Sequence, residues 1–208
     1  MGGKARTAEK VAETEHGLLA RVIDLSGTRV VQALSPIAKA TDEPPLLALG
    51  IGTLAFGMVL RRPAVIRSGA RMVASHLVAT GLKTMLKAGV DRTRPNVAGD
   101  SPRLEKGTGT DRTDRNAFPS GHTAGAVAVA QAVAHEVPGV ATPVRAAAGA
   151  AGALQVPRGA HYVTDVLAGA AVGWLAERIA GAAMKRVERT AADTVQAHAE
   201  EEAAAHPS

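Results

Sequence analysis

The sequence predicts an all-α protein, a membrane-embedded bundle of about five to six helices, and three observations support this fold class. Apolar segments of helix length alternate with breaks that contain Pro or Gly. Ala and Gly are abundant, and such small residues let helices pack closely within a bilayer. Aromatic residues make up only 2% of the 208 residues, and β-branched residues other than Val are scarce, which disfavours a sheet.

The N-terminal part of the chain is polar. Residues 1–17 carry many charges, so we expect a solvated or fraying helix and no cleavable signal peptide. Residues 18–37 mix apolar and charged side chains in the way that is typical of an amphipathic helix. The run Asp42-Glu43-Pro44-Pro45 then breaks that helix.

Five apolar segments form the predicted bundle. They cover residues 46–60, 64–86, 120–136, 142–156 and 162–184. We expect one helical domain over residues 18–184 and an amphipathic or disordered tail over 185–208. The longest charge-free runs, 44–60 and 116–135, approach the ~20 residues that cross a hydrocarbon core. A soluble, Ala-rich helical bundle is the alternative.

The distribution of cations predicts how such a bundle lies in a membrane. If the five segments alternate across the bilayer, the basic turns and the start of the tail share one side. They contain Arg61, Arg62, Arg67, Arg145, Lys185, Arg186 and Arg189. That side is cytoplasmic by the positive-inside rule. The sequence therefore predicts a multi-pass protein of the cell (inner) membrane, with residues 88–119 and 157–161 on the extracytoplasmic side.

The net charge of +5 and the pI near 10 predict an anionic partner, such as nucleic acid, acidic lipid or a phosphorylated substrate. Base stacking needs aromatic side chains, and their scarcity argues against nucleic acid. The absence of Cys excludes disulfides, thiolate metal sites and cysteine nucleophiles. A membrane and a phosphorylated substrate are therefore the predicted partners, and no particular oligomeric state is predicted.

The first cluster of reactive residues begins the long segment 88–119, whose length suggests a function. Lys87 and Arg94 place two cations at the end of an apolar helix, and the planar fork of Arg matches phosphate oxygens. Alternatively, they are interfacial cations that only snorkel. Asp91 and Arg92, between them, are expected to be simple loop charges.

The second cluster is the run Pro119-Ser120-Gly121-His122. Ser120 is expected to cap the following helix, so that the backbone N–H groups of Ser120, Gly121 and His122 form an anion site. His122 would add a titratable proton to that site. The alternative is an ordinary helix start with an incidental His. His76 and His135, which also lie in helical segments, are expected to be structural.

The third cluster contains His161 and Asp165, which share a face if they lie on one helix. A carboxylate there can hold Nδ1–H of the imidazole and leave Nε2 free as a base or nucleophile. Such a pair can also be a purely structural hydrogen bond. All three clusters fall on the same predicted side, and together they suit phosphoryl transfer without a metal.

These motifs resemble those of the type 2 phosphatidic acid phosphatase (PAP2) superfamily. They are Lys87-x6-Arg94-Pro95, Pro119-Ser-Gly-His122 and His161-x3-Asp165, and the match extends over about residues 80–180. The superfamily includes membrane lipid phosphatases, soluble bacterial acid phosphatases and vanadium haloperoxidases. The resemblance implies a PAP2/haloperoxidase-like helical core.

The resemblance also implies a role for each residue. His161 attacks phosphorus through Nε2 and forms a phosphohistidine, while Asp165 orients His161 and stabilises its positive charge. His122 protonates the leaving oxygen and then assists the hydrolytic water. The phosphoryl oxygens are bound by Lys87, Arg94 and the amides of Ser120 and Gly121. The phosphatase branch needs no metal or other cofactor.

The third motif departs from the family pattern. The family usually has Ser-Arg before the five residues that precede the His, whereas Leu154 and Gln155 stand here. The usual phosphate-binding arginine is therefore missing, and Arg158 is a candidate to supply the cation from a nearby position. If it does not, activity is reduced rather than lost.

The resulting hypothesis is a metal-independent membrane phosphatase that acts on a lipid phosphate or an isoprenoid diphosphate. One alternative is a soluble or peripheral phosphatase that acts on small phosphoesters. Another is a lipid-phosphate-binding relic that turns over poorly because Gln155 replaces the motif arginine. A haloperoxidase is disfavoured by the short chain and the few aromatic residues.

Overall fold

The computed structural model describes residues 2–99, 102–109 and 112–205. The described residues form seven α-helices and two short strands, which confirms the predicted all-α class. The helices are α1 (Gly2–Ile23), α2 (Arg29–Lys39), α3 (Glu43–Val59), α4 (Pro63–Gly89), α5 (Gly121–Glu136), α6 (Ala141–Ala153) and α7 (Val163–Ala205). The strands are β1 (Val90–Arg92) and β2 (Leu104–Lys106).

Local signals explain where the helices begin. Thr28 caps α2 by accepting the N–H of Val31 at 3.4 Å. Ser120 caps α5 in the same way, and this second cap was predicted from the sequence. The predicted break at Asp42–Pro45 is shorter than expected, because both prolines lie within the first turn of α3. Proline is tolerated there, since the first N–H groups of a helix have no partner within the helix.

The bundle is built around α4, α5 and α7, which contact one another, while α3 packs on α4 and α6 packs on α5. Its core consists largely of Ala with a few larger side chains, such as Leu46, Met72 and Val129. Gly169 of α7 lies against the Ser120 carbonyl oxygen, so any side chain there would separate α7 from the start of α5. Small residues thus set the spacing of the helices that carry the site.

The long segment 88–119 is ordered by local pairing within its described residues. Strands β1 and β2 form an antiparallel hairpin in which Asp91 pairs with Glu105. Arg92 also forms an isolated bridge with Asn116 just before α5. The segment therefore connects α4 to α5 through a short sheet rather than through an open loop.

One helix of the described residues, α7, is long and apolar enough to cross a membrane, and α3 is a shorter apolar helix. Large apolar side chains are exposed along both: Leu49, Phe56 and Met58 on α3, and Leu167, Trp174 and Ile179 on α7. Apolar surfaces of this extent are typical of proteins that contact lipid or a partner. The multi-pass arrangement of five spans stays a prediction.

Both ends of the chain are helical where they are described. Helix α7 continues through the predicted tail as far as Ala205, while Met1 and residues 206–208 lie outside the described residues. At the other end, α1 contacts the hairpin and the turn after Arg94. The domain boundaries at 17/18 and 184/185 stay predictions.

Candidate active site

A cavity of about 340 Å³ opens where α4 ends and α5 begins. It brings together five of the residues predicted from the three motifs: Lys87, Arg94, Gly121, His122 and His161. The predicted residues Ser120 and Asp165 are buried beside it, and Arg158 is half-buried. The rest of the lining comes from residues just before and at the start of α3, from α4 and from Gly125 of α5, and no motif had pointed to them.

His161 lies just before α7 and is only 1% exposed. Its Nδ1 is 2.7 Å from the carbonyl oxygen of Ala117. Since a carbonyl oxygen only accepts hydrogen bonds, Nδ1 carries the proton and Nε2 keeps its lone pair. Burial lowers the pKa of His161, which favours the neutral ring. The imidazole is thereby held in the tautomer that a nucleophile at Nε2 requires.

Asp165 does not make the hydrogen bond that its spacing suggested. Its carboxylate is 3.8 Å from Nδ1 of His161, beyond hydrogen-bond distance. Instead, it accepts the N–H of Tyr162 at 2.8 Å and an N–H of Arg92 at 2.7 Å. The Ala117 carbonyl therefore orients the ring, and Asp165 contributes a fixed negative charge close to it.

Arg92 is not the simple loop charge that was expected, and that prediction was wrong. Its guanidinium is 3% exposed and donates both to Asp165 and, at 2.6 Å, to Glu15 of α1. It also lies over the ring of Tyr162, 4.1 Å from the centroid. Arg92 thus links the N-terminal helix to the carboxylate beside His161.

These contacts also partly bury Glu15, so α1 is not simply solvated here. The Glu15 carboxylate accepts the backbone N–H of Thr164 at 3.0 Å and the Thr164 hydroxyl at 2.8 Å. Burial alone would raise the pKa of Glu15, but the N–H of Thr164 and the Arg92 guanidinium hold it below the ordinary value. The neighbouring His16 contacts the Tyr162 hydroxyl at 3.1 Å.

Lys87 and Arg94 bring two cations to the cavity. Lys87 donates to the carbonyl oxygen of Asn116 at 3.0 Å. Burial, helped by the charge of Arg94, lowers the pKa of Lys87 to about 8. Burial and the charge of Arg158 likewise lower the pKa of Arg94, and its Nε has no hydrogen-bond partner among the described residues. A half-buried cation whose Nε is a buried, unpaired donor is well placed to bind an anion.

The start of α5 supplies fewer free amides than predicted. The N–H of Ser120 donates to the backbone carbonyl of Asp165 at 3.0 Å, so this group is not free to bind a phosphoryl oxygen. Ser120 is instead the cap of the helix. The first-turn N–H groups of Gly121 and His122 have no acceptor among the described residues, and Gly121 lines the cavity.

His122 faces His161 across the cavity, with ring centroids 6.0 Å apart. Its Nε2 lies 2.5 Å from a carboxylate oxygen of Asp42, which directly precedes α3. The sequence had identified Asp42 only as part of a helix break. A carboxylate 80 residues away along the chain leaves no local signal of this contact, which arises from the packing of α3 on the bundle.

Gln155 has a structural partner that explains its place in the motif. It is fully buried, and its side-chain oxygen accepts from Arg158 at 3.0 Å. Gly159, with a φ of +66°, then turns the chain toward His161. The amide therefore holds Arg158 near the cavity, although Arg158 does not line it.

No group of three or more His, Asp or Glu side chains within the described ranges could hold a metal ion. Metal independence therefore rests on the resemblance and stays a prediction.

The comparisons agree with the motifs. The PAP2 superfamily model matches residues 68–188, more than half of the chain. LpxE from Aquifex aeolicus has a TM-score of 0.60 at 20% identity, over 79% of this chain and 92% of that chain. A transmembrane PAP2-type phosphatidylglycerolphosphate phosphatase from Bacillus subtilis has a TM-score of 0.62 at 21% identity. The match covers 86% of this chain and 88% of that chain. No curated protein matches significantly. The extent of the family match, over all three motifs, shows that this chain belongs to the PAP2 superfamily.

Proposed function

We propose that this protein is a metal-independent lipid phosphatase that works through a phosphohistidine intermediate. The observation that carries the proposal is the state of His161. Its ring is held with the proton on Nδ1, in a cavity that also contains Lys87 and Arg94. Family membership supports a phosphatase, and the structural neighbour from Bacillus subtilis is described as a phosphatase of this type.

In the proposed reaction, Nε2 of His161 attacks the terminal phosphorus while the bond to the leaving oxygen breaks. His122 gives that oxygen a proton, and then accepts a proton from the water that hydrolyses the phosphohistidine. Lys87, Arg94 and the N–H of Gly121 stabilise the negative charge on the phosphoryl oxygens. The buried carboxylate of Asp165 stabilises the positive charge that the phosphorylated ring acquires.

A lipid substrate is supported by the surroundings of the cavity. The cavity lies at the end of apolar helices, and the exposed apolar side chains of α3 and α7 suit contact with acyl or isoprenoid chains. The basic turn at Arg61 and Arg62 lies at the opposite end of α4 from Lys87. The proposed arrangement is therefore multi-pass in the cell membrane, with the site on the extracytoplasmic side.

The test is phosphate release by the full-length protein in detergent and EDTA. The substrates are phosphatidic acid, phosphatidylglycerol phosphate, undecaprenyl diphosphate and p-nitrophenyl phosphate. Release from a lipid in EDTA supports the proposal. Release from p-nitrophenyl phosphate alone would indicate a phosphatase for small esters. Binding of a lipid phosphate without release of phosphate would indicate a lipid-phosphate-binding relic, the alternative based on the replacement of the motif arginine by Gln155.

Arg158 is expected to compensate in part for the missing motif arginine. Arg94→Ala and Arg158→Ala should each lower kcat/KM by about 10- to 100-fold, the range for loss of one charged hydrogen bond, with the larger effect at Arg94. Steady-state phosphate release measures both. Arg189→Ala, on the exposed end of α7, is the matched control. Unchanged kcat/KM for Arg158→Ala, beside loss of activity for Arg94→Ala, would contradict this role.

Phosphate binding is expected to weaken above about pH 8 because Lys87 loses its proton there rather than near its ordinary value of 10.5. The Lys87 ammonium is charged below its pKa and neutral above it. Inhibition by inorganic phosphate should therefore decline as the pH rises above about 8. In Lys87→Arg, the guanidinium stays charged and the decline should move to higher pH. The same alkaline profile in both proteins would show that another group is responsible.

A further inference from the structure

The cavity extends beyond the phosphate-binding end along one face of α4. Residues on this face recur every three or four positions, as neighbours on a helix surface do, and all of them line the cavity. They are His76, Thr80, Lys83 and Lys87. The proposed reaction uses only the last of these. The remaining three are polar groups whose place in the cavity that reaction does not explain.

Lys83 is a third cation of the cavity, one helical turn before Lys87. Its chain lies against Gly121, where a Cβ would stand 3.6 Å from the ammonium nitrogen. The ammonium is therefore beside the positive end of α5. In this structure Lys83 is paired with Glu43 at 2.5 Å. The Glu43 side chain is 45% exposed and lies at the first residue of α3, so it can turn toward solvent when another anion arrives.

His76 gives an independent indication of a ligand. It is 2% exposed, and neither ring nitrogen has a hydrogen-bond partner among the described residues. Gly125 of α5 leaves the space that the ring occupies. Buried polar groups are nearly always hydrogen-bonded, so an unpaired imidazole lining a cavity indicates a partner that enters from the cavity.

We propose that Lys83, with Thr80 and His76, forms a second anion subsite that binds the phosphate remaining on the leaving group of a lipid diphosphate. This inference rests on the proposed function and names its preferred substrate class. Lys83 and Lys87 are about 5–6 Å apart at Cβ, the spacing of adjacent turns. A substrate that carries two neighbouring phosphates can therefore contact both cations at once.

The subsite also has a chemical role. When the bond between the terminal phosphorus and the bridging oxygen breaks, that oxygen leaves as part of a lipid monophosphate. His122 protonates that oxygen, and Lys83 neutralises the charge of the phosphate that stays on the leaving group. In this structure Glu43 is paired with Lys83, and we expect the second phosphate to displace it. A lipid with a single phosphate leaves this pair intact.

The activity test compares two substrates with the same tail, farnesyl diphosphate and farnesyl monophosphate. Lys83→Met should lower kcat/KM for the diphosphate at least about tenfold more than for the monophosphate, the loss expected for one charged hydrogen bond. Lys83→Arg should recover part of the difference. Lys185→Met, an exposed lysine of α7, should leave both values unchanged. Equal losses on both substrates, or no loss, would overturn the proposal.

A binding test separates this inference from the proposed function. In His161→Ala protein, titration calorimetry compares methylenediphosphonate with inorganic phosphate. Adding Lys83→Met should weaken the binding of methylenediphosphonate at least about tenfold more than the binding of phosphate. If the native protein hydrolyses no lipid but this difference is found, the proposed function fails and the subsite stands. If Lys83→Met weakens both ligands equally or neither, the subsite is overturned.

Discussion

Replacing His161 by Ala is expected to lower kcat by at least about 10³-fold, because a reaction that proceeds through a covalent intermediate loses its nucleophile. Phosphate release from the best lipid substrate, measured in EDTA, gives this value. The residual rate reflects binding of the phosphoryl group by Lys87 and Arg94 alone. Added imidazole should restore part of the rate to His161→Gly, since a free ring can enter the vacated space.

Two controls separate loss of the nucleophile from loss of structure. Removing the ring leaves the Ala117 carbonyl without its partner, at a cost of about 1–3 kcal/mol, so thermal unfolding of the variant is measured in the same detergent. His135→Ala, on the exposed end of α5, is the matched histidine control and should keep native activity. A folded His161→Ala protein with substantial turnover would contradict the nucleophile assignment.

Arg92→Met is expected to destabilise the protein by about 3–5 kcal/mol, because it leaves the buried carboxylate of Asp165 and the partly buried one of Glu15 without their shared cation. Arg92 is the partner of both Asp165 and Glu15. Denaturant unfolding in detergent micelles measures the change in the free energy of unfolding. Activity should fall as well, since Asp165 loses the contact that fixes it beside His161.

The matched control for this prediction is Arg112→Met, which removes an exposed ion pair with Asp114 and should leave the unfolding free energy close to native. The unfolding free energy of Arg92→Lys should lie between those of Arg92→Met and Arg112→Met. One ammonium cannot reproduce the hydrogen bonds that a guanidinium makes to several acceptors. An Arg92→Met protein as stable as Arg112→Met would show that this buried network contributes little.

Most of the helical architecture could be predicted from the sequence because its signals are local. Apolar runs, proline breaks and the cap at Ser120 act within a few residues, and the structure places helices at each predicted apolar segment. The start of α3 was displaced, since Pro44 and Pro45 are as acceptable in a first helical turn as in a break. The hairpin within 88–119 was missed because each strand has only three residues.

The site residues that could be predicted belong to contiguous sequence motifs. The site residues that were missed are brought to the site by packing between distant parts of the chain. Glu15 reaches Arg92 across 77 residues, and Lys83 reaches Glu43 across 40, so no spacing in the sequence marks either pair. The hydrogen bond between Asp165 and His161 that their spacing predicted is absent for a local reason. Because α7 begins at Val163, His161 precedes the helix, and the spacing rule for residues four apart on a helix does not apply.

The most direct test of the central claim is to trap the phosphoryl-enzyme. A rapid alkaline quench during turnover of a lipid phosphate preserves phosphohistidine, and peptide mass spectrometry locates the modified residue. The account predicts a phosphoryl group on His161 in the native protein and none in His161→Ala. Turnover without any phosphohistidine, or with the phosphoryl group on another residue, would contradict it.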